Sequence, residues 1–197
     1  MPTYLTKLTT PTALTRDIHR THQILTTAAC PPGVTTPGRA ATRLLHRVER
    51  AGREILVQSA TRLDPERLGD GCVIAGTKPL DPLLERLTDG VIVRYKITAN
   101  PTHAPNRVRR PITDPDRIHA WWQRTADRIG LDLDTAALVD TAKTSGMRRG
   151  RRVVVQTATL EGTATIRDGR ALRASVVSGV GHARAYGCGL LSVVPLG

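Results

Sequence analysis

The chain has 197 residues, with 29 Lys and Arg against 17 Asp and Glu and a formal net charge of +12. This excess favours a polyanionic partner, because each phosphate that a basic side chain neutralises releases counterions. The three cysteines are far apart, which argues against a disulfide scaffold and against a zinc cluster. No apolar run approaches the roughly 20 residues of a membrane span, so we expect a cytoplasmic protein without cofactor, metal or membrane contact.

The first half of the chain predicts the strand and helix order of a ferredoxin-like fold. Residues 3–9 alternate and are rich in β-formers, which predicts a strand, and Asp17 can cap the helix that follows. Residues 42–59 predict a hairpin, and after a looser segment with a short helix residues 91–98 predict another strand. This β-α-β-β-α-β order predicts a ferredoxin-like domain over residues 1–99.

The second half of the chain predicts a similar order of elements after a linker. Residues 100–113 are rich in Pro, Asn and Arg and predict that linker. The elements predicted after it are a helix at residues 114–130, a short extended piece at 131–134, a basic turn at 143–152, a strand at 153–161, a second helix at 168–177, a glycine-rich loop at 179–189 and a last strand at 190–195. We therefore expect an α+β fold with two tandem ferredoxin-like (βαββαβ) domains, the second over residues 114–197, joined by a short Pro- and Arg-rich linker.

The loop before the last strand contains four glycines in eleven residues. Glycine tolerates positive φ and close approach, so the N–H groups of this loop could cradle a phosphate. A plain glycine-rich turn before a buried strand is the alternative. The candidate contact residues of the loop are Gly179, Gly181, His182, Arg184 and Gly187.

Two histidines on the first predicted helix are the candidate catalytic residues. His19 and His22 are three residues apart and therefore share one helix face. A histidine near its ordinary pKa can take a proton from a ribose hydroxyl or return one to a leaving oxygen, and Arg16 and Arg20 could stabilise the phosphorane charge. The alternative is that His22 is a polar core residue and His19 is simply exposed. No Asp, Glu or Cys stands at a spacing that would complete a metal site.

Two clusters of basic residues are candidate RNA contacts. The guanidinium groups of the turn at residues 148–152 could enter an RNA groove or bind phosphates bidentately. The alternative for this turn is a solvated strand edge, and the alternative for the second cluster, Arg107, Arg109 and Arg110, is an ordinary charged linker. Trp121 and Trp122 could stack on bases, but their helical spacing favours a core position for at least one of them. The candidate contacts are Arg107, Arg109, Arg110, Lys143, Arg148, Arg149, Arg151 and Arg152.

Several blocks of the sequence, among them Thr3–Lys7, Thr15–Gln23 and Gly179–Pro195, together resemble the CasE (Cse3) family of CRISPR RNA endoribonucleases of type I-E systems. Thr3–Lys7 resembles the first strand of the family, and Thr15–Gln23 resembles its first-helix motif, in which an Arg-Asp pair precedes the histidine. Gly179–Pro195 is similar to the family's glycine loop and last strand. Further matching blocks occur in the expected order, at Leu45–Glu49, Val57–Ser59 and Tyr95–Pro101. The blocks span essentially the whole chain.

The resemblance implies two tandem ferredoxin-like domains and metal-independent cleavage at the base of the CRISPR repeat RNA hairpin. In that family the ribose 2′-hydroxyl attacks the adjacent phosphate, which leaves a 2′,3′-cyclic or 3′ phosphate and a 5′-hydroxyl. The family's catalytic histidine corresponds to His22, and a tyrosine often occupies the position of His19, so the division of acid and base roles stays open. The family's RNA-binding hairpin corresponds to Arg148–Arg152. Family members stay bound to the processed RNA among the other Cascade subunits.

Two other functions fit parts of the sequence. A non-catalytic RNA-hairpin-binding subunit of a CRISPR interference complex would keep the fold and the basic residues, and the departure from tyrosine at His19 is consistent with it. A generic basic nucleic-acid-binding protein would explain the charge but would leave the ordered family blocks unexplained.

Overall fold

The computed structural model describes residues 3–30, 42–104 and 108–197. Contacts between residues divide the chain into two compact units. The first unit consists of Met1–Asp81, Thr144–Val155 and Arg184–Gly187. The second consists of Pro82–Lys143, Gln156–Ala183 and Cys188–Gly197. Each unit is therefore assembled from segments that are far apart in the sequence. Among the described residues, no helix combines the length and the apolar character needed to cross a membrane.

The first unit contains a four-stranded antiparallel sheet in the order β2-β3-β1-β4. Its elements are β1 Tyr4–Thr9, α1 Thr12–Thr15, α2 Ile18–Ala28, β2 Leu45–Glu49, β3 Glu54–Ser59 and β4 Val73–Pro79, with 3₁₀ turns at Arg50–Gly52 and Pro65–Arg67. The apolar faces of α2 and the sheet pack together and form the core. The core is aliphatic, with residues such as Leu8, Leu25 and Ile55. The helix that normally precedes the fourth strand is reduced here to the turn at Pro65–Arg67.

The second unit repeats this arrangement around a sheet in the order β11-β5-β10-β8, in which β9 also pairs with β10. The elements that follow β4 are α3 Asp81–Glu85, β5 Ile92–Ala99, β6 Thr102–His103, β7 Arg110–Pro111, α4 Pro115–Arg128, β8 Leu131–Leu133, β9 Ala137–Arg148, β10 Arg151–Ile166, α5 Gly169–Ser178, a 3₁₀ turn at Arg184–Tyr186 and β11 Leu191–Pro195. The succession β5-α4-β8-β10-α5-β11 is again β-α-β-β-α-β. The predicted α+β fold with two ferredoxin-like domains is confirmed.

The prediction that residues 91–98 form the last strand of the first domain is wrong. β5 pairs with β10 and β11, so it opens the second sheet. The fourth strand of the first sheet is β4, which pairs with β1. The two units consequently differ from the predicted domains at residues 1–99 and 114–197.

The predicted basic turn at residues 143–152 is mostly strand. β9 continues to Arg148 and β10 begins at Arg151, so the turn itself is only Arg149–Gly150. Both turn residues have positive φ, 48° at Arg149 and 73° at Gly150, which matches the twist of a two-residue hairpin. A run of arginines gives no clear β-propensity signal, so the sequence predicts a longer turn than the structure has.

Candidate active site

The N-terminal turn of α2 positions the two candidate catalytic histidines. Asp17 precedes the helix in an extended conformation, and its side chain accepts hydrogen bonds from the backbone N–H groups of His19 and Arg20 at 2.8 and 2.9 Å. This cap satisfies two N–H groups that would otherwise have no partner in the first turn. Both His19 and His22 are half-buried, and His19 Nδ1 is buried without a hydrogen-bond partner.

His22 has a hydroxyl group beside its ring. Thr26 Oγ1 donates to the carbonyl oxygen of His22 at 2.7 Å and lies 3.4 Å from His22 Nδ1. Because the Thr26 hydroxyl hydrogen points to the carbonyl, the Nδ1 contact suits a ring that carries its proton on Nδ1. In that tautomer Nε2 is the ring nitrogen of His22 that can accept a proton.

Tyr186 contacts both histidine rings, and sequence reasoning missed it as a site residue. It comes from the 3₁₀ turn inside the glycine-rich loop, which the structure assigns to the first unit. Its ring centroid lies 6.4 Å from that of His19 and 6.3 Å from that of His22, with the His22 ring meeting it edge to face. The available signal was a single aromatic residue in a glycine-rich loop, in a chain with few aromatics.

His46 is a third histidine of this cluster that the sequence analysis did not select. It lies on β2, is buried, and its Nδ1 has no hydrogen-bond partner. Burial, and secondarily the charge of His22, lower the pKa of His46 to about 3. Gly187 approaches its ring: a Cβ at Gly187 would lie 3.5 Å from His46 Nε2. A neutral imidazole thus lies beside the histidine proposed to transfer protons.

The first unit also contains most of the predicted basic residues. Arg16 and Arg20 are exposed beside the histidines, and Arg184 is half-buried in the same turn as Tyr186. The hairpin tip, residues 144–155, carries four exposed arginines, Arg148, Arg149, Arg151 and Arg152. Arg152 donates to Ser145 Oγ across the hairpin at 3.2 Å. The structure therefore assigns the histidines and the basic hairpin to one unit.

The remaining predicted contact residues belong to the second unit. Lys143, Arg109, Arg110, Gly181 and His182 are exposed there, and Gly179 is buried at the end of α5. Arg107 lies outside the described residues. Within the ranges that the structure describes, no group of three or more His, Cys, Asp and Glu side chains is placed to hold a metal ion.

The order of elements and the sheet of each unit place this chain in the class of proteins with two ferredoxin-like domains. The helix that carries the two candidate histidines belongs to the first unit. The family model described as "CRISPR associated protein" matches residues 4–195. The chain belongs to this family, within which its relatives are the CasE (Cse3) proteins, so the resemblance seen in the sequence is confirmed.

Two relatives and one solved structure illustrate the similarity. The Cascade subunit CasE of Escherichia coli is 31% identical over 218 positions, covering 98% of this chain and all of that protein. The CRISPR-associated endoribonuclease Cse3 of Thermus thermophilus is 32% identical over 171 positions, covering 78% of this chain and 80% of that protein. A solved structure of Thermus thermophilus Cse3, bound to an RNA representing a pre-cleavage complex, has a TM-score of 0.85 and 27% identity and covers 99% of this chain and 100% of its own.

Proposed function

We propose that this protein is an endoribonuclease that binds the hairpin of CRISPR repeat RNA and cleaves precursor CRISPR RNA at its base. The observation that carries the proposal is the cluster of His19, His22 and Tyr186 in the unit that also presents the basic hairpin tip. The endoribonuclease activity named for Cse3 and the Cascade membership named for CasE support it. The protein would keep its product as a cytoplasmic Cascade subunit.

Cleavage in this proposal is an in-line attack of a ribose 2′-hydroxyl on the adjacent phosphorus. One imidazole takes the hydroxyl proton while the new O–P bond forms. The other gives a proton to the 5′-oxygen as its bond to phosphorus breaks. The products are a 2′,3′-cyclic phosphate and a 5′-hydroxyl. His22 is one member of this pair and His19 is the other, because they share one face of α2.

Charge stabilisation in this proposal comes from protein side chains, without a metal ion. Arg16 and Arg20 flank the histidines and are exposed to an incoming phosphate. Guanidinium groups are permanently charged and bind phosphate oxygens bidentately, which suits the charge that develops on the phosphorane.

The basic hairpin tip supplies the affinity for RNA in this proposal. Its four arginines are exposed in the two-residue turn and on both sides of it, so they can reach phosphates on two strands of an RNA stem. Contacts of this kind are electrostatic, and binding should weaken steeply as salt is raised. The hairpin would thus hold the RNA while the histidines act on the strand to be cut.

The test is a cleavage assay with the cognate repeat hairpin RNA in EDTA. His22→Ala should lower the single-turnover rate by about 10²–10⁴-fold, because general acid–base catalysis contributes that much, and should leave RNA affinity nearly unchanged. A substrate with a 2′-deoxyribose at the cleavage site should stay intact. His119→Ala is the matched control, since His119 is a half-buried histidine on α4 in the second unit.

Three outcomes would contradict the proposal. Inhibition by EDTA that a divalent ion reverses would refute the metal-free mechanism. A large loss of affinity in His22→Ala would make His22 a binding or folding residue. Tight binding by the wild type without any cleavage would favour the alternative, a non-catalytic RNA-hairpin-binding subunit.

A further inference from the structure

The basic hairpin tip is attached to the N-terminal turn of α2 through one carboxylate. Asp17 Oδ1 accepts from the backbone N–H groups of His19 and Arg20, as the helix cap. Asp17 Oδ2 accepts from the backbone N–H of Met147, in β9, at 3.1 Å. The same side chain therefore binds the turn that carries His19 and the strand that leads into Arg148.

Gly146 allows this approach because it has no side chain. It is buried beside Asp17, and a Cβ at this position would overlap Asp17 Oδ1 and lie 2.7 Å from His19 N. Contacts this short do not occur for real Cβ atoms, so either the hairpin or the helix would have to move. The backbone of Gly146 is not in the left-handed region, so its requirement is for space and not for conformation.

The contact requires an ionised carboxylate. The backbone N–H of Arg20 is the largest influence lowering the pKa of Asp17, and the N–H groups of Met147 and His19 lower it further against the opposing effect of desolvation. At neutral pH both oxygens are therefore acceptors. Hydrogen bonds to a charged acceptor are stronger than those between neutral groups.

We propose that Asp17 is a positioning residue that couples the RNA-binding hairpin to the catalytic helix, so that RNA held by the hairpin fixes the position of His19 and His22. This inference rests on the proposed function. Residues 147–152 are exposed, and the backbone of the tip meets the start of α2 at Gly146 and Met147, where Asp17 accepts the Met147 N–H. Since catalysis needs reacting groups to be in place within a fraction of an ångström, a loose hairpin would slow cleavage even with RNA fully bound.

Asp17→Asn separates the coupling from the helix cap. Asparagine caps helices about as well as aspartate, so its one carbonyl oxygen can still serve His19 and Arg20. The amide nitrogen that replaces the other oxygen cannot accept from Met147. The matched control is Asp168→Asn, because Asp168 caps α5 through the N–H of Ala171 and belongs to the second unit.

The experiment measures single-turnover cleavage at saturating repeat RNA, RNA affinity and melting temperature. Asp17→Asn should lower the cleavage rate about 10-fold to 100-fold, as expected for misplaced catalytic groups. It should change affinity by less than about threefold and melting temperature by no more than about 4 °C, the shift expected for the loss of one exposed hydrogen bond in a chain of this size. Asp168→Asn should cleave like the wild type.

A second variant tests the same contact from the hairpin side. Gly146→Ala should reduce cleavage at saturating RNA by a similar factor, because its Cβ displaces the hairpin from Asp17. Gly76→Ala is its control, since Gly76 is also a strand glycine and a Cβ there would meet no atom within 4 Å. Wild-type cleavage by Asp17→Asn, with a loss only in Asp17→Ala that follows its melting temperature, would overturn the coupling and leave Asp17 a helix cap.

A measurement without cleavage distinguishes this inference from the proposed function. With the 2′-deoxy substrate, binding should shift the NMR signals of the His19 and His22 rings in the wild type. The shifts should be much smaller in Asp17→Asn. If the wild type does not cleave but these shifts behave as stated, the proposed function fails and the coupling stands. Equal shifts in both proteins would overturn the coupling alone.

Discussion

Two clusters of rings, one in each unit, differ in whether their buried polar atoms have hydrogen-bond partners. In the second unit Tyr95 and Trp122 are fully buried with ring centroids 5.4 Å apart. Trp122 Nε1 donates to the Tyr95 hydroxyl at 3.1 Å, and that hydroxyl donates to the carbonyl oxygen of Thr135 at 2.9 Å. Every polar atom of these two rings therefore has a partner. This cluster has the features of a structural core.

In the first unit the cluster of His19, His22, His46 and Tyr186 contains two buried ring nitrogens without a partner. His19 Nδ1 and His46 Nδ1 are both buried without a hydrogen-bond partner. Each unsatisfied buried group costs about 1–3 kcal/mol of stability. Buried polar groups without a partner are uncommon in native structures, and a catalytic role is one reason for keeping them. The contrast fits the proposal that the second-unit cluster stabilises the fold and that the first-unit cluster serves the reaction.

The largest effect on stability is expected in the second-unit cluster of Tyr95 and Trp122, whose polar atoms all have partners. Trp122→Ala should lower the free energy of unfolding by about 3–5 kcal/mol, because it removes a buried ring and takes the donor from the Tyr95 hydroxyl. Trp121→Ala is the control, since Trp121 is half-buried on the same helix. Denaturant unfolding followed by circular dichroism measures both. Equal losses in the two variants would contradict the assignment of Trp122 to the structural core.

The buried histidine of the other cluster predicts an acid-sensitive fold. The pKa of His46 is about 3 in the folded chain against an ordinary 6.5, so between these pH values the unfolded chain binds a proton that the folded chain does not. The free energy of unfolding should therefore decrease as the pH falls below 6.5, by up to about 1.4 kcal/mol per pH unit from this group. Above pH 6.5 the contribution is fully present.

His46→Phe tests this prediction because it keeps a ring and removes the titrating group. Urea unfolding at pH 7.5, 6.5, 5.5 and 4.5 should show a shallower loss of stability in the variant than in the wild type. His119→Phe, at a half-buried histidine of α4, is the matched control, and the carboxylates that titrate at the acid end cancel in the comparison. An unchanged slope in His46→Phe would show that another group causes the acid sensitivity.

The sequence predicted the first-unit helix and its histidines well because the signals are local. A capping aspartate and a three-residue spacing are sufficient to place His19 and His22 on one face of α2. The β-α-β-β-α-β order was also predicted, because apolar alternation and breakers mark most of the strands. β4 was missed since Gly76 lies inside it, Pro79 ends it and its side chains are mostly exposed.

The rest of the site depends on contacts that no local pattern encodes. Tyr186 reaches His22 from 164 positions further along the chain, and Met147 reaches Asp17 from 130 positions away. β5 was assigned to the wrong domain for the same reason, because its pairing with β10 and β11 depends on strand register. The sequence therefore predicts His19 and His22 on α2, but it does not predict that Tyr186 and Met147 lie beside this helix.

The smallest expected effect on the cleavage rate is at Tyr186. Two variants distinguish the contribution of its ring from that of its hydroxyl group. The ring lies against both imidazoles, and an aromatic pair contributes about 0.5–1.5 kcal/mol, or roughly 2-fold to 12-fold in rate if it is lost from the transition state. Tyr186→Ala should therefore lower single-turnover cleavage about tenfold at saturating RNA.

Tyr186→Phe keeps the ring contacts and should cleave within about threefold of the wild type, since only a hydroxyl is removed. Tyr4→Phe, in β1 of the same unit, controls for the loss of a tyrosine hydroxyl elsewhere. If Tyr186→Phe is instead as slow as Tyr186→Ala, the hydroxyl itself takes part in proton transfer. The contrast between the clusters would then be sharper, because the tyrosine of the first unit would act on the substrate where Tyr95 of the second unit only completes a buried hydrogen-bond chain.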